Sequence, residues 1–160
     1  MDWKQRIYCG DVNQTQSGKS VLLMGWVDAV RDHGNLLFIH LRDVQGIVQV
    51  VFDPEAGNEL YELATSLREE YVVRIQGQVA LREKDTRNPN LETGDVEVFA
   101  QDLKVLSKAK SLPFQISEKA MVMGEEIQAI PTRVDEELRL RHRYLDLRRP
   151  SMQAFITKRY

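Results

Sequence analysis

From residue 37 to residue 42 the chain reads Leu-Phe-Ile-His-Leu-Arg, so Leu37, Ile39 and Leu41 alternate with Phe38, His40 and Arg42. A period of two belongs to a half-buried strand, in which successive side chains leave opposite faces of the sheet. The aliphatic face therefore lies on the odd positions. Around this strand the same signal recurs. Val21 to Val27 is a β-rich apolar run closed by the polar turn Arg31-Asp32-His33-Gly34-Asn35, and Asp43 to Gly46 makes a short loop before Ile47 to Phe52. Asp53-Pro54-Glu55 is a helix start, and Leu60, Leu63, Ala64 and Leu67 follow at helical spacing. Tyr71 to Val79 alternates again, and Val96 and Val98 oppose Glu97 and Phe99. Between these last two strands, Arg82 to Thr93 forms a polar loop with Asn88-Pro89-Asn90 inside it and Gly94 at its end. It is longer than a hairpin needs.

Three strands, one helix and two strands is the order of an OB-fold: an all-β, five-stranded Greek-key barrel whose helix plugs the barrel between strands three and four. The predicted core runs from Val21 to Leu106. After Lys108 the pattern changes, and the stretch through Leu112-Pro113-Phe114 to Pro131 has no sustained period and reads as a connector. Asp135 can cap a helix over Glu136 to Leu147 stopped by Pro150, and a further helical start, Ser151 to Tyr160, breaks off without a cap. The expected organisation is a barrel over residues 1–107, a linker over 108–135 and a helical segment over 136–160, with the chain continuing beyond.

The chain has 160 residues, 42% hydrophobic and 29% charged, which suits one soluble domain with a short extra segment and argues against disorder. No apolar run reaches membrane-spanning length, the start Met1-Asp2-Trp3-Lys4 lacks a signal peptide, and Cys9 is the only cysteine, so no internal disulfide can form. A cytoplasmic location without membrane partners is the expectation. The formal net charge of −2 offers no bulk attraction for nucleic acid. Its distribution is uneven: from Glu136 to Tyr160 seven Lys or Arg face three acids, leaving +4 there and −6 on the rest. The three histidines, His33, His40 and His142, and the cysteine lack metal-ligand spacing, and neither a phosphate loop nor a nucleophile elbow is present. No catalytic residue and no metal ligand is expected in this chain.

Phe38 stands on the polar face of its strand beside His40 and Arg42. That is the composition of a base-stacking platform, a flat apolar surface with charge nearby for a nucleic-acid backbone. A small apolar cluster beneath a loop has the same composition, and both readings stay open. Gln49, on the neighbouring strand, offers one acceptor and two donors, for a base edge or for backbone groups near a strand end. Arg31, Arg82 and Asn88 lie in the loops that OB-folds use for oligonucleotides, where solvated surface residues also lie. Glu97 faces outward, and its carboxylate can accept from an exocyclic amine while repelling phosphate. An acidic domain with these groups reads bases more than it reads charge.

The segments Gly25-Trp26-Val27, Arg31-Asp32-His33-Gly34, Phe38-Ile39, Leu41-Arg42-Asp43, Gly46-Ile47-Val48-Gln49-Val50 and, most specifically, Arg143-Tyr144-Leu145-Asp146-Leu147-Arg148-Arg149-Pro150 closely resemble bacterial-type aspartyl-tRNA synthetases over nearly the whole chain. The Gly-Trp-Val start alone is shared with the asparaginyl and lysyl enzymes. The resemblance implies an N-terminal domain that binds the tRNA anticodon loop. It also implies a longer parent, an aspartate–tRNA ligase of class II and a homodimer, that uses ATP and Mg to make aspartyl-adenylate and charge tRNA. Its ATP-binding motifs lie downstream, so no cofactor is expected here. Position by position, Phe38 matches the aromatic that stacks on the middle anticodon base and Gln49 the amide that bonds that uridine. Arg31, Arg82, Asn88 and Glu97 match positions that contact the outer anticodon bases or nearby backbone. Ala29, Val30 and Ala80 stand where members often carry arginine, which implies fewer phosphate contacts, and the connector from Gln115 to Arg133 is long for the family. His33 stands where many aspartate-specific members carry leucine, and so resembles members that also charge asparagine tRNA. A general single-strand-binding OB module, an asparaginyl- or lysyl-type anticodon domain and a protein-binding OB domain are the alternatives.

Overall fold

The computed structural model describes residues 3–117, 120–123, 126–129 and 134–159. They form two compact units, residues 1–109 and 110–160. The first unit is a closed barrel of five strands, β1 (Ser20–Asp32), β2 (Leu37–Arg42), β3 (Ile47–Phe52), β4 (Val72–Leu81) and β5 (Val96–Ser107), in the spatial order β1-β2-β3-β5-β4. All pairings are antiparallel except β3 with β5. One helix, α1 (Asn58–Thr65), lies between β3 and β4 in sequence. This is the OB-fold expected from the alternation.

The alternation packs as its period requires. Leu37, Ile39 and Leu41 of β2 are buried among Leu23 and Val27 of β1, Val48, Val50 and Phe52 of β3, Val73 and Ile75 of β4 and Val98 of β5. Ala64 of α1 and Leu67 just after it join the barrel core, and Leu60 and Tyr61 of the same helix pack against it. Each fully buried aliphatic of this kind contributes about 1.5–3 kcal/mol. Gly25 is dictated by close approach, because a Cβ there would sit 2.3 Å from the carbonyl oxygen of Arg42 on β2.

Several boundaries differ from the sequence expectation. β1 runs five residues past the expected end at Val27, because a bulge between Val27 and Ala29 leaves Asp28 out of register and lets the strand bend round the barrel. Asp28 is thereby turned to Arg42, whose Nη1 bonds its Oδ1 and whose Nη2 donates to Glu70 Oε1 at 2.6 Å. Glu70 has a positive φ of 65°, a conformation disfavoured for a side chain with a Cβ, and its backbone N–H donates to Val27 O at 2.7 Å. Asp53 caps a single 3-10 turn, Pro54–Ala56, rather than the helix itself, because Gly57 at φ 144° breaks the two apart. Near the N-terminus, Cys9 is buried and its N–H donates to Asp43 Oδ2 at 2.7 Å. Burial, reinforced by the Asp43 carboxylate, pushes its thiol far above the ordinary range, so it serves as an apolar core group.

The second unit holds a hairpin, β6 (Ala120–Met123) with β7 (Glu126–Ala129), inside the stretch that shows no period. Three short helices follow: α2 (Glu136–Arg141), α3 (Arg143–Asp146) and α4 (Pro150–Thr157). The single helix expected to Leu147 is broken at His142, whose φ −114° and ψ 45° are not helical. Asp135 caps α2 through Oδ1, as expected, and Pro150 opens α4 at its first turn instead of ending the helix before it. Phe114, Ile116 and Leu145 form this unit's small core with Leu112, Val134 and Leu138. Asp146, fully buried, accepts from Arg139 Nε at 2.8 Å and Arg143 Nη1 at 2.7 Å, with Arg149 Nη1 at 3.6 Å. The hydrogen bond from Arg139 is the main reason its carboxyl is held below the ordinary value.

Candidate nucleic-acid interface

The outward face of the barrel is ordered by register. Arg31 of β1 pairs with Phe38 of β2, Phe38 with Val51 of β3, Val51 with Phe99 of β5, and Phe99 with Gln78 of β4. One step along, His40 pairs with Gln49, and Ala80 with Glu97. Arg31, Phe38, Gln49, Val51, Glu97 and Phe99 of these rows floor an open cavity of about 640 Å³, walled by the turn after β1 (His33, Asn35, Leu36), the end of β4 (Leu81) and the start of the β4–β5 loop (Arg82, Glu83, Thr86).

Six of the seven sequence candidates line this cavity: Arg31, His33, Phe38, Gln49, Arg82 and Glu97. Phe38 is half-buried, and the His33 imidazole meets its ring edge-on, centroids 5.5 Å apart at 80°. Gln49 is only 6% exposed, and its Nε2 donates to Glu97 Oε2 at 2.9 Å. The same Glu97 oxygen lies 3.7 Å from Arg82 Nε. Arg82 is nearly buried, with its Nε and Nη1 donating no hydrogen bond among the described residues. The result is a chain of Arg82, Glu97 and Gln49 along the wall of the cavity that Phe38 also lines. The carboxylate fixes which way the amide points, so Oε1 and the remaining N–H of Gln49 are aimed by Glu97.

Asn88 is placed elsewhere. It lines a separate hollow of about 270 Å³ with Arg87, Leu91 and Gly94, and its Oδ1 accepts from the Asn90 backbone at 3.0 Å. It shapes its own loop. Gly94 closes that loop, because a Cβ there would fall 1.8 Å from the carbonyl oxygen of Asn88. Ala29, paired with His40 just past the bulge, is buried.

Sequence reasoning left out Phe99, Val51 and Leu81. The alternation already set Phe99 opposite Val96 and Val98, among polar outward neighbours Glu97 and Gln101; that contrast was the available signal. Among the described residues, no group of three or more His, Cys, Asp or Glu is placed to hold a metal ion, and no helix is long and apolar enough to cross a membrane.

Residues 21–106 match the family described as tRNA anticodon, OB-fold nucleic acid binding domain. Over 161 aligned residues the chain is 53% identical to the aspartate–tRNA(Asp/Asn) ligase 1 of Syntrophus aciditrophicus, and over 145 it is 51% identical to the aspartate–tRNA(Asp/Asn) ligase of Bacillus subtilis. These alignments cover 100% and 91% of this chain but 22% and 23% of those ligases, so the chain spans less than a quarter of the length of these two relatives. Among solved structures, asparaginyl-tRNA synthetase of Pyrococcus horikoshii superposes with a TM-score of 0.75 at 30% identity, over 95% of this chain and 31% of that one. The aspartyl-tRNA synthetase of Entamoeba histolytica shares the fold with a TM-score of 0.78 at 23% identity, over 95% of this chain and 34% of its own. The closed barrel and these matches together show that the chain belongs to the tRNA anticodon-binding family of OB-fold nucleic-acid-binding domains.

Proposed function

We propose that this chain binds the anticodon loop of an aspartate tRNA, with the middle base stacked on Phe38 and its edge read by Gln49. The observation that carries the reading is the bond from Gln49 Nε2 to Glu97. An amide can bond either uridine or cytosine, because flipping it exchanges its donor and acceptor. Held in one orientation it offers a fixed acceptor and donor, complementary to the N3–H and a carbonyl of uridine and mismatched to cytosine. Arg31 and Arg82 at the rim supply charge for the flanking backbone. The longer protein of which this domain is a part is proposed to ligate aspartate to tRNA, to take ATP and Mg for that chemistry outside this chain, and to act as a homodimer.

The test is titration of an aspartate anticodon stem-loop, with uridine or cytidine at the middle position, into wild type, Phe38→Ala and Gln49→Ala. Phe38→Ala is expected to weaken binding by about 1–3 kcal/mol. Gln49→Ala is expected to erase the uridine preference. Unchanged affinity in the first or unchanged preference in the second removes the proposal.

A second reading concerns breadth. The edge-on contact of His33 with Phe38 puts a residue of the β1–β2 turn against the stacking platform. The Syntrophus and Bacillus subtilis relatives are both named for Asp and Asn tRNA. We infer that the parent ligase accepts both tRNAs, whose anticodons differ in the third base, and that His33 relaxes the distinction. His33→Leu in that ligase is expected to raise its preference for aspartate tRNA, measured as the ratio of charging efficiencies. A strong preference in the unaltered ligase, unmoved by the substitution, refutes it.

A further inference from the structure

We propose that Phe99 is a second stacking site, taking the base of the nucleotide that adjoins the one on Phe38. The inference rests on the anticodon-loop reading above and extends it to a residue that reading leaves unused. Phe99 is 38% exposed on the outward side of β5, paired with Val51 and Gln78, where an outward aromatic gains nothing from the barrel core. Its outward neighbours along β5, Glu97 and Gln101, are polar. Across the strands, however, it continues the row Phe38, Val51, Phe99, and all three line the same cavity as Gln49 and Arg82. An apolar stripe thus crosses the floor of a recognition site, with a flat ring at each end.

The spacing fixes what the stripe holds. Phe38 and Phe99 lie on strands separated by one other, so their Cα atoms are about 10 Å apart at the usual interstrand distance of about 4.8 Å. Two bases stacked on each other lie only about 3.4 Å apart. The rings therefore take two bases splayed out of stack, each on its own platform, as single-stranded loops permit. Val51 lies between as an apolar floor on which neither base stacks. A base of any identity has a π-face, so Phe99 contributes affinity and registers the strand on the Gln49 reader, while sequence discrimination stays at the middle position.

The experiment uses the full chain and the uridine stem-loop, intact or with an abasic nucleotide on the 5′ or the 3′ side of the middle base. Phe99→Ala and Phe99→Leu are expected to weaken binding of the intact loop about tenfold, and Phe99→Tyr to bind like wild type, because stacking needs the ring and not only an apolar side chain. An abasic nucleotide on one side is expected to weaken wild type equally and to leave Phe99→Ala no weaker than before. Wild-type affinity in Phe99→Ala or in Phe99→Leu overturns the proposal. So does a Phe99→Ala penalty that persists with both abasic loops. Phe38→Ala separates the two readings: if it weakens binding while Phe99→Ala does not, the second site fails and the anticodon reading stands. If neither the chain nor its variants bind the loop, both fall.

Discussion

At the scale of single residues, the site depends on a carboxylate that need not touch RNA at all. Glu97 accepts from Gln49 and faces Arg82, so its substitution separates orientation from contact. Glutamine at 97 can present Gln49 with either a donor or an acceptor, which frees the Gln49 amide to flip. Glu97→Gln is expected to lower the uridine-over-cytidine preference by about 1–3 kcal/mol, while affinity for the uridine loop falls less; a preference equal to wild type in the stem-loop titration contradicts this. Arg42 plays the comparable structural part, since it bridges Asp28 in the bulge and Glu70 in its left-handed conformation. Arg42→Met leaves two buried carboxylates without this guanidinium and is expected to cost about 3–5 kcal/mol in urea unfolding. Phe38 was legible from alternation, and Gln49 as the one amide in a β-branched run, because both lie in short, regular strands. The Glu97 to Gln49 bond was not, because it joins residues 48 positions apart through the parallel pairing of β3 and β5. Asn88 sat in a recognition loop by position, yet its side chain is engaged in that loop's own turn.

At the scale of elements, period predicts strands well and says little about where they bend. The bulge at Asp28 extends β1 to Asp32 and carries Arg31 into register with Phe38, so the cavity's rim depends on an irregularity that no alternation announces. The hairpin Ala120–Met123 with Glu126–Ala129 is short, and the apolar content around it gave no period to read. The helical segment is organised by a buried charge instead of an apolar stripe. Asp146 gathers Arg139, Arg143 and Arg149, and its carboxyl titrates below the ordinary value of 3.8 mainly through the Arg139 hydrogen bond. A group depressed on folding stabilises fully above its unfolded value and loses that contribution as the pH falls through the folded one. The packing of Leu138 and Leu145 is therefore expected to hold at neutral pH and loosen in acid below about 3.8, as read by their methyl resonances. In Asp146→Asn the loosening should already be present at neutral pH, with that acid step missing; an unaltered acid step would assign it to another group.

At the scale of the whole molecule, the question is how a chain of net charge −2 holds a polyanion. The cavity brings only two arginines, Arg31 and Arg82, and one of them is already set against Glu97. Beside these arginines, Ala29, Val30 and Ala80 bring no cation, and the first is buried. Affinity must then come from stacking and edge contacts, which salt does not screen, more than from counterion release. Neutralising about two phosphates on a single strand gives a slope of log affinity against log salt of about −1.4. The prediction is a shallow slope of that order for the anticodon stem-loop, reduced toward half by Arg31→Gln and left unchanged by Phe38→Ala even as affinity drops. A slope several times steeper would mean that basic residues outside the cavity carry the RNA. The arginines of the helical segment are the obvious source, because from Glu136 to Tyr160 the local charge is +4 against the −6 of the remainder. Repeating the measurement on residues 1–109, which form a compact unit of their own, assigns the excess: a slope that falls with the segment removed places the contact there, and one that does not returns it to the barrel.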